Sequence, residues 1–165
     1  MFTRMSLPCR RATFCIALLA TLCLRVGPAQ SAEFRSIGDS PAIAYDAPSV
    51  KAKKLFVASR DYPLEVIVNI EGWVKVRDAA GDLFWVEKKV LSERRMLLVI
   101  APQVDVRRAA DDNAAVVFRT QAGVVLEWQD QTAAAGTPPL APGWVRVRHR
   151  DGSQGFVRVS QVWGL

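Results

Sequence analysis

Cysteine and histidine are almost missing from this chain. Of its 165 residues three are cysteine, and all three (Cys9, Cys15, Cys23) lie at the N-terminal end; His149 is the one histidine. Once the leader described below is removed no cysteine remains, which excludes disulfides, a thiol nucleophile and a cysteine metal site. One histidine and scattered carboxylates fall short of the several ligands a metal ion needs. His149 stands between Arg148 and Arg150 in an expected strand and reads as an exposed strand histidine rather than an active-site base. The obvious carboxylate pair, Asp111-Asp112, sits in a loop of small residues and reads as solvation rather than as an acid/base pair. No glycine-rich phosphate loop precedes a helix pattern. These absences argue against an enzyme and imply no cofactor and no metal.

A large net charge is missing too, despite a formal +6. Arg4, Arg10 and Arg11 open the chain, Ala12–Leu24 is an apolar run of 13 residues, and Ala29-Gln30-Ser31 offers small residues where a signal peptidase reads. Residues 1–31 are therefore expected to be a secretory signal peptide that is cleaved on export. The run is too short for a permanent membrane helix, which needs about 20 apolar residues. The leader takes four of the 22 basic residues and none of the 16 acidic ones, leaving 18 against 16, a net +2. That is not the charge of a nucleic-acid binder. The expected product is exported, and periplasmic if the organism has an outer membrane.

What the chain does have is a stretch that occurs twice. Gly72-Trp73-Val74-Lys75-Val76-Arg77 returns later as Gly143-Trp144-Val145-Arg146-Val147-Arg148. Across Gly72–Val86 and Gly143–Val157, 7 of 15 aligned positions are identical, which marks two copies of one unit. Short β-branched or alternating runs separated by Gly, Pro and Asp turns surround both copies, as in Leu64–Ile70, Val104–Arg107 and Val124–Trp128. Asp151-Gly152 is a strong hairpin signal. The reading is all-β, with two small barrels of five or so strands each. Residues 32–42 are expected to be a linker or a loosely attached first strand, 43–95 the first barrel and 96–165 the second. Lys88–Leu91 suggests one helical turn closing the first. Met96–Ile100, a continuous apolar run, suggests a strand buried on both sides that lies against the first barrel. Asp130–Gly143, with Pro138, Pro139 and Pro142, suggests an exposed loop inserted in the second barrel.

Alternation along the duplicated strand sends Val74 and Val76 to one face and Trp73, Lys75 and Arg77 to the other. Trp144 shares its face with Arg146 and Arg148 in the same way. Trp85 lies opposite Val86 on the returning strand. Trp73, Lys75, Trp85, Trp144 and Arg146 are the candidate ligand-binding residues. An indole offers a flat apolar face to a peptide or sugar, and arginine pairs with carboxylates through two parallel bonds. The competing reading has these tryptophans covering the barrels with cationic stems laid over them. Trp128 and Trp163 read as packing residues, and Tyr45 and Tyr62 are not placed by the pattern.

The repeated Gly-Trp-Val-x-Val, the glycine turns at Gly81 and Gly152, and the aromatic-Val pairs Trp85-Val86 and Phe156-Val157 resemble those of bacterial SH3 domains, over about Ile43–Leu165. The resemblance implies a small five- to six-stranded barrel without enzymatic activity. It also implies a place in the cell envelope, often as a cell-wall-targeting module. Phe84 departs from the family's pattern, which has glycine before the aromatic-Val pair. The partner implied is cell-wall peptide or another envelope protein. The alternative is a structural protein that docks such a partner or regulates a wall hydrolase.

Overall fold

A computed structural model describes residues 32–129 and 141–165. The expected signal peptide and most of the expected Asp130–Gly143 loop lie outside the described residues. Among the described residues fourteen strands form two seven-stranded antiparallel sheets. The first holds β1 (Glu33–Ile37), β2 (Ala42–Tyr45), β3 (Lys54–Ala58), β4 (Pro63–Ile70), β5 (Trp73–Arg77), β6 (Leu83–Glu87) and β7 (Leu91–Ser92). The second holds β8 (Met96–Val99), β9 (Gln103–Arg107), β10 (Val116–Gln121), β11 (Val125–Trp128), β12 (Trp144–Arg148), β13 (Gln154–Arg158) and β14 (Val162–Trp163). Hydrogen bonding orders the first as β3-β2-β6-β5-β4-β1-β7 and the second as β10-β9-β13-β12-β11-β8-β14, the same order once each strand is matched to its counterpart. A 3-10 turn at Lys88–Val90 precedes β7, where the sequence suggested a helical turn, and Val159–Gln161 repeats it. Among the described residues no helix is long and apolar enough to cross a membrane.

The backbone bonds fix the register of the duplication. Ile37 N–H donates to the Tyr62 carbonyl as Val99 does to Val124, and Asp46 donates to Lys53 as Arg108 does to Ala115. Lys88 donates to Gly72 as Val159 does to Gly143, at a wider spacing between the copies. The second copy is therefore the longer one, and its extra length falls between β11 and β12. Glu33–Ile37, expected as a linker or loosely attached strand, is thus the counterpart of Met96–Val99 and is paired on both sides, to β4 and to β7. A strand this short has no room to show a period. The partners that order it include Leu91 and Ser92, at the opposite end of the same half.

Each sheet curls about its own core. Ile37, Leu64, Val74, Val76, Phe84 and Val86 are buried together in the first, and Leu97, Val99, Val104, Leu126, Val147 and Val157 in the second. The alternation read from the duplicated strand is the alternation observed: Val74 and Val76 point inward, and Lys75 and Arg77 do not. The departure at Phe84 is matched by a change across the core. The counterparts of Ala44 and Phe84 in the second half are Val106 and Gly155. A Cβ on Gly155 would stand 2.7 Å from Val106 Cγ1 and 2.6 Å from the Arg107 carbonyl oxygen. A small residue on β2 leaves room for a large one on β6, and a larger one on β9 requires none on β13, as close packing demands.

The halves meet around Arg95, just before β8. Phe34 of β1 packs edge-on against Trp163 of β14, ring centroids 5.0 Å apart. The Arg95 guanidinium lies 4.6 Å from the Trp128 ring and 5.9 Å from Phe34, and donates to the Gly164 carbonyl at 3.1 Å. The Trp128 amide donates back to the Arg95 carbonyl at 2.9 Å. Gly164, at φ +114, leaves no room for a Cβ: one would meet the Met96 oxygen at 2.8 Å and Pro63 Cβ at 3.3 Å. All of Met96–Val99 is buried. Leu97 and Val99 enter the second core, while Met96 and Leu98 are buried outside it, on the side of β8 that faces β4.

The Val106/Gly155 match yields a measurable consequence. Gly155→Ala pushes a methyl into a backbone carbonyl and a buried valine, and is expected to lower the unfolding free energy by about 1–3 kcal/mol, the usual cost of overpacking. Thermal unfolding followed by circular dichroism reads this; an unchanged midpoint would mean that β9 and β13 are not so closely apposed.

Candidate ligand-binding face

Strands β5, β6 and β2 carry the aromatic side of the first half. Lys75 is directly opposite Trp85, and Trp85 opposite Tyr45, so the three form a row across the sheet. Trp73 lies two places along from Lys75 on the same side, opposite Glu87. Its ring meets Tyr45 edge-on at 5.2 Å. The Lys75 ammonium lies 6.0 Å from the centre of the Trp85 ring. Tyr45 is buried, whereas Trp73, Lys75 and Trp85 are all half-exposed. The Lys89 ammonium donates to the Glu87 carboxylate at 2.7 Å, which holds its pKa above the usual lysine range. The face therefore offers two partly open indoles, Trp73 packed against a buried tyrosine and Trp85 beside it on the next strand, with cations at its margin. It suits a ligand with flat apolar surface and carboxylates. The sequence pattern did not place Tyr45. The signal is the strand pairing, which puts β2 beside β6 although three strands intervene in the chain.

The matching face of the second half is built differently. Trp144 is buried, and the Arg158 guanidinium lies over its ring at 4.3 Å. That same guanidinium donates to Asp112. Arg107, the counterpart of Tyr45, donates to the Ala114 carbonyl at 2.8 Å, and Arg119 pairs with Asp105 at 3.0 Å. Arg146 is exposed and donates to Gln154 at 3.1 Å. Trp144 is buried beneath Arg158, whereas Trp73 and Trp85 stay partly exposed, Trp73 against Tyr45 and Trp85 under Lys75. The five candidate residues are thus not one surface: Trp73, Lys75 and Trp85 come together on the first sheet, while Trp144 and Arg146 lie on the second. Among the described residues no group of histidine, cysteine and carboxylate side chains is placed to hold a metal ion. A concavity of about 800 Å3 lies elsewhere, and none of the five candidates lines it.

The family model described as bacterial SH3 domain matches residues 38–93 and 141–164. Both duplicated hairpins fall inside the match. No curated protein matches the chain. Among solved structures, NlpC2 of Trichomonas vaginalis aligns at 14% identity with a TM-score of 0.36, over 81% of this chain and 48% of that one. NlpC1 of the same organism aligns at 14% identity with a TM-score of 0.36, over 88% and 50%. This chain thus spans about half the length of either.

The contrast between the two tryptophan faces is testable by fluorescence. Arg158→Ala is expected to uncover Trp144, shift its emission to the red, and cost about 1 kcal/mol of stability, the scale of a partly buried cation–π contact. Emission that stays unchanged would show that the guanidinium does not cover the indole.

Proposed function

We propose that this chain, which belongs to the bacterial SH3 domain family, is an exported, non-catalytic binding module made of two fused SH3-like barrels. It recognises cell-wall peptide or another component of the cell envelope. The observation that carries the reading is the two partly exposed indoles of one face, Trp73 packed on Tyr45 and Trp85 with Lys75 over it. The indoles stack on apolar or sugar surface, and the lysine pairs with a ligand carboxylate. The second half supports the first, since its own tryptophan lies beneath Arg158. The leader carries the chain out of the cytoplasm and is removed there. No cofactor or metal takes part.

A second reading, a protein that docks another envelope protein or a wall hydrolase, has one observation of its own. Strand β3 ends the first sheet, and its Leu55, Phe56 and Val57 are exposed. Open apolar edges of this kind pair with a partner's strand.

Sedimentation of residues 32–165 with purified peptidoglycan separates the two. The binding-module reading expects co-sedimentation, lost by at least ten-fold in Trp73→Ala and Trp85→Ala with folding intact, and retained in Arg146→Ala. Failure to sediment at either low or high salt would discard it and leave the edge-strand reading, tested by Val57→Lys.

A further inference from the structure

We infer that the cleft between the two halves is a second binding site, for an acidic peptide, separate from the aromatic face. The cleft encloses about 800 Å3, within the range of sites that hold a small ligand. Its rim is basic. Arg60 comes from the turn before β4, Arg94 from the connection between the halves, and Arg148 and Arg150 from the end of β12 and the turn after it. Two carboxylates stand among them. Asp61 accepts from Arg94 at 2.5 Å and pairs with Arg60 at 3.2 Å, and Glu127 accepts from Arg148 at 2.5 Å. Arg94 also pairs with Asp39 at 3.3 Å, so Arg60, Arg94 and Arg148 are each held by a carboxylate. Arg150 makes no ion pair among the described residues. Met96, Val124 and Val125 line the cleft between these charges.

Asp61 argues that the rim is more than solvated surface. It is the only non-glycine residue with positive φ (65°) among those described. Its counterpart in the second half is Gly123, at φ 87°. A side chain in the left-handed region is strained, and such strain clusters at ligand sites. Here the strained residue carries the carboxylate that joins Arg60 to Arg94 and sets where both guanidinia stand. The chemistry favours carboxylates over phosphate. Every guanidinium of the rim except that of Arg150 already has a carboxylate neighbour, an arrangement that suits separated single charges better than one compact dianion. The apolar lining takes short aliphatic side chains between them, and Asp61 and Glu127 accept a ligand amine.

The test is calorimetric titration of residues 32–165 with the peptide Ala-Glu-Ala-Glu-Ala, free at both ends, beside Ala-Gln-Ala-Gln-Ala, inorganic pyrophosphate and phosphatidylglycerol vesicles. The expected result is at least ten-fold tighter binding of the Glu peptide than of the Gln peptide. The joint variant Arg60→Ala, Arg150→Ala should lose at least ten-fold, with an unchanged melting temperature because both side chains are exposed. Asp61→Asn, which keeps a residue tolerant of positive φ but releases Arg60 and Arg94 and loses the acceptor for the peptide amine, should bind several-fold more weakly. Trp73→Ala should leave this binding unchanged, which separates it from the wall-binding reading. Equal binding of the two peptides, indifference to the double arginine change, or preference for pyrophosphate or vesicles over the Glu peptide would each overturn the proposal.

Discussion

The arginine that joins the two halves is the constraint on which the rest of the molecule depends. Each half is about 60 residues, near the lower size at which one apolar core suffices without a disulfide or metal. Arg95 sits where neither half ends cleanly. Its guanidinium lies against Trp128 of the second sheet and Phe34 of the first, and it donates to Gly164 at the C-terminal end. Phe34 in turn packs on Trp163. The first strand and the last described strand are thereby clamped to the connection between the halves. β8 is covered on both sides, which explains why its sequence is continuously apolar. The aromatic face and the basic cleft are both held by this joint: one lies on a sheet that it steadies, the other between the two sheets that it fixes.

Duplication supplied one frame and two surfaces. The inward positions of the Gly-Trp-Val strands stayed apolar in both copies, because a core residue cannot change face without breaking its sheet. The outward positions were free to diverge. Arg107 stands where the first half has Tyr45, and Arg158 where it has Glu87. The tryptophan that packs against tyrosine in one half is therefore capped by a guanidinium in the other. Where a core position did change, its partner changed with it, as at Ala44/Phe84 and Val106/Gly155. Such paired exchange is what a close-packed interior allows.

The duplication, the all-β class and the inward valines were legible in the sequence, because strand alternation and a repeated motif are local signals. The face carrying Trp73, Lys75 and Trp85 was legible for the same reason. Glu33–Ile37 was not. The longer connection between β11 and β12 shifts the register of the early strands against that of the visible repeat, so the likeness to Met96–Val99 does not line up with it. Tyr45 was not placed because its neighbours belong to strands distant in the chain. The burial of Trp144 rests on Arg158, its partner across the hairpin, and on Asp112, which holds that guanidinium from a loop distant in the chain and belongs to no motif. The cleft was hidden most deeply. Its rim is drawn largely from turns and connections of both halves, which carry no period at all.

Equilibrium urea unfolding of residues 32–165, followed together by tryptophan fluorescence and far-ultraviolet circular dichroism, tests the joint most directly. The account predicts one coincident transition for the native chain, and for Phe34→Ala two transitions that no longer coincide. Two separate transitions in the native chain, or a single unshifted one in Phe34→Ala, would contradict it.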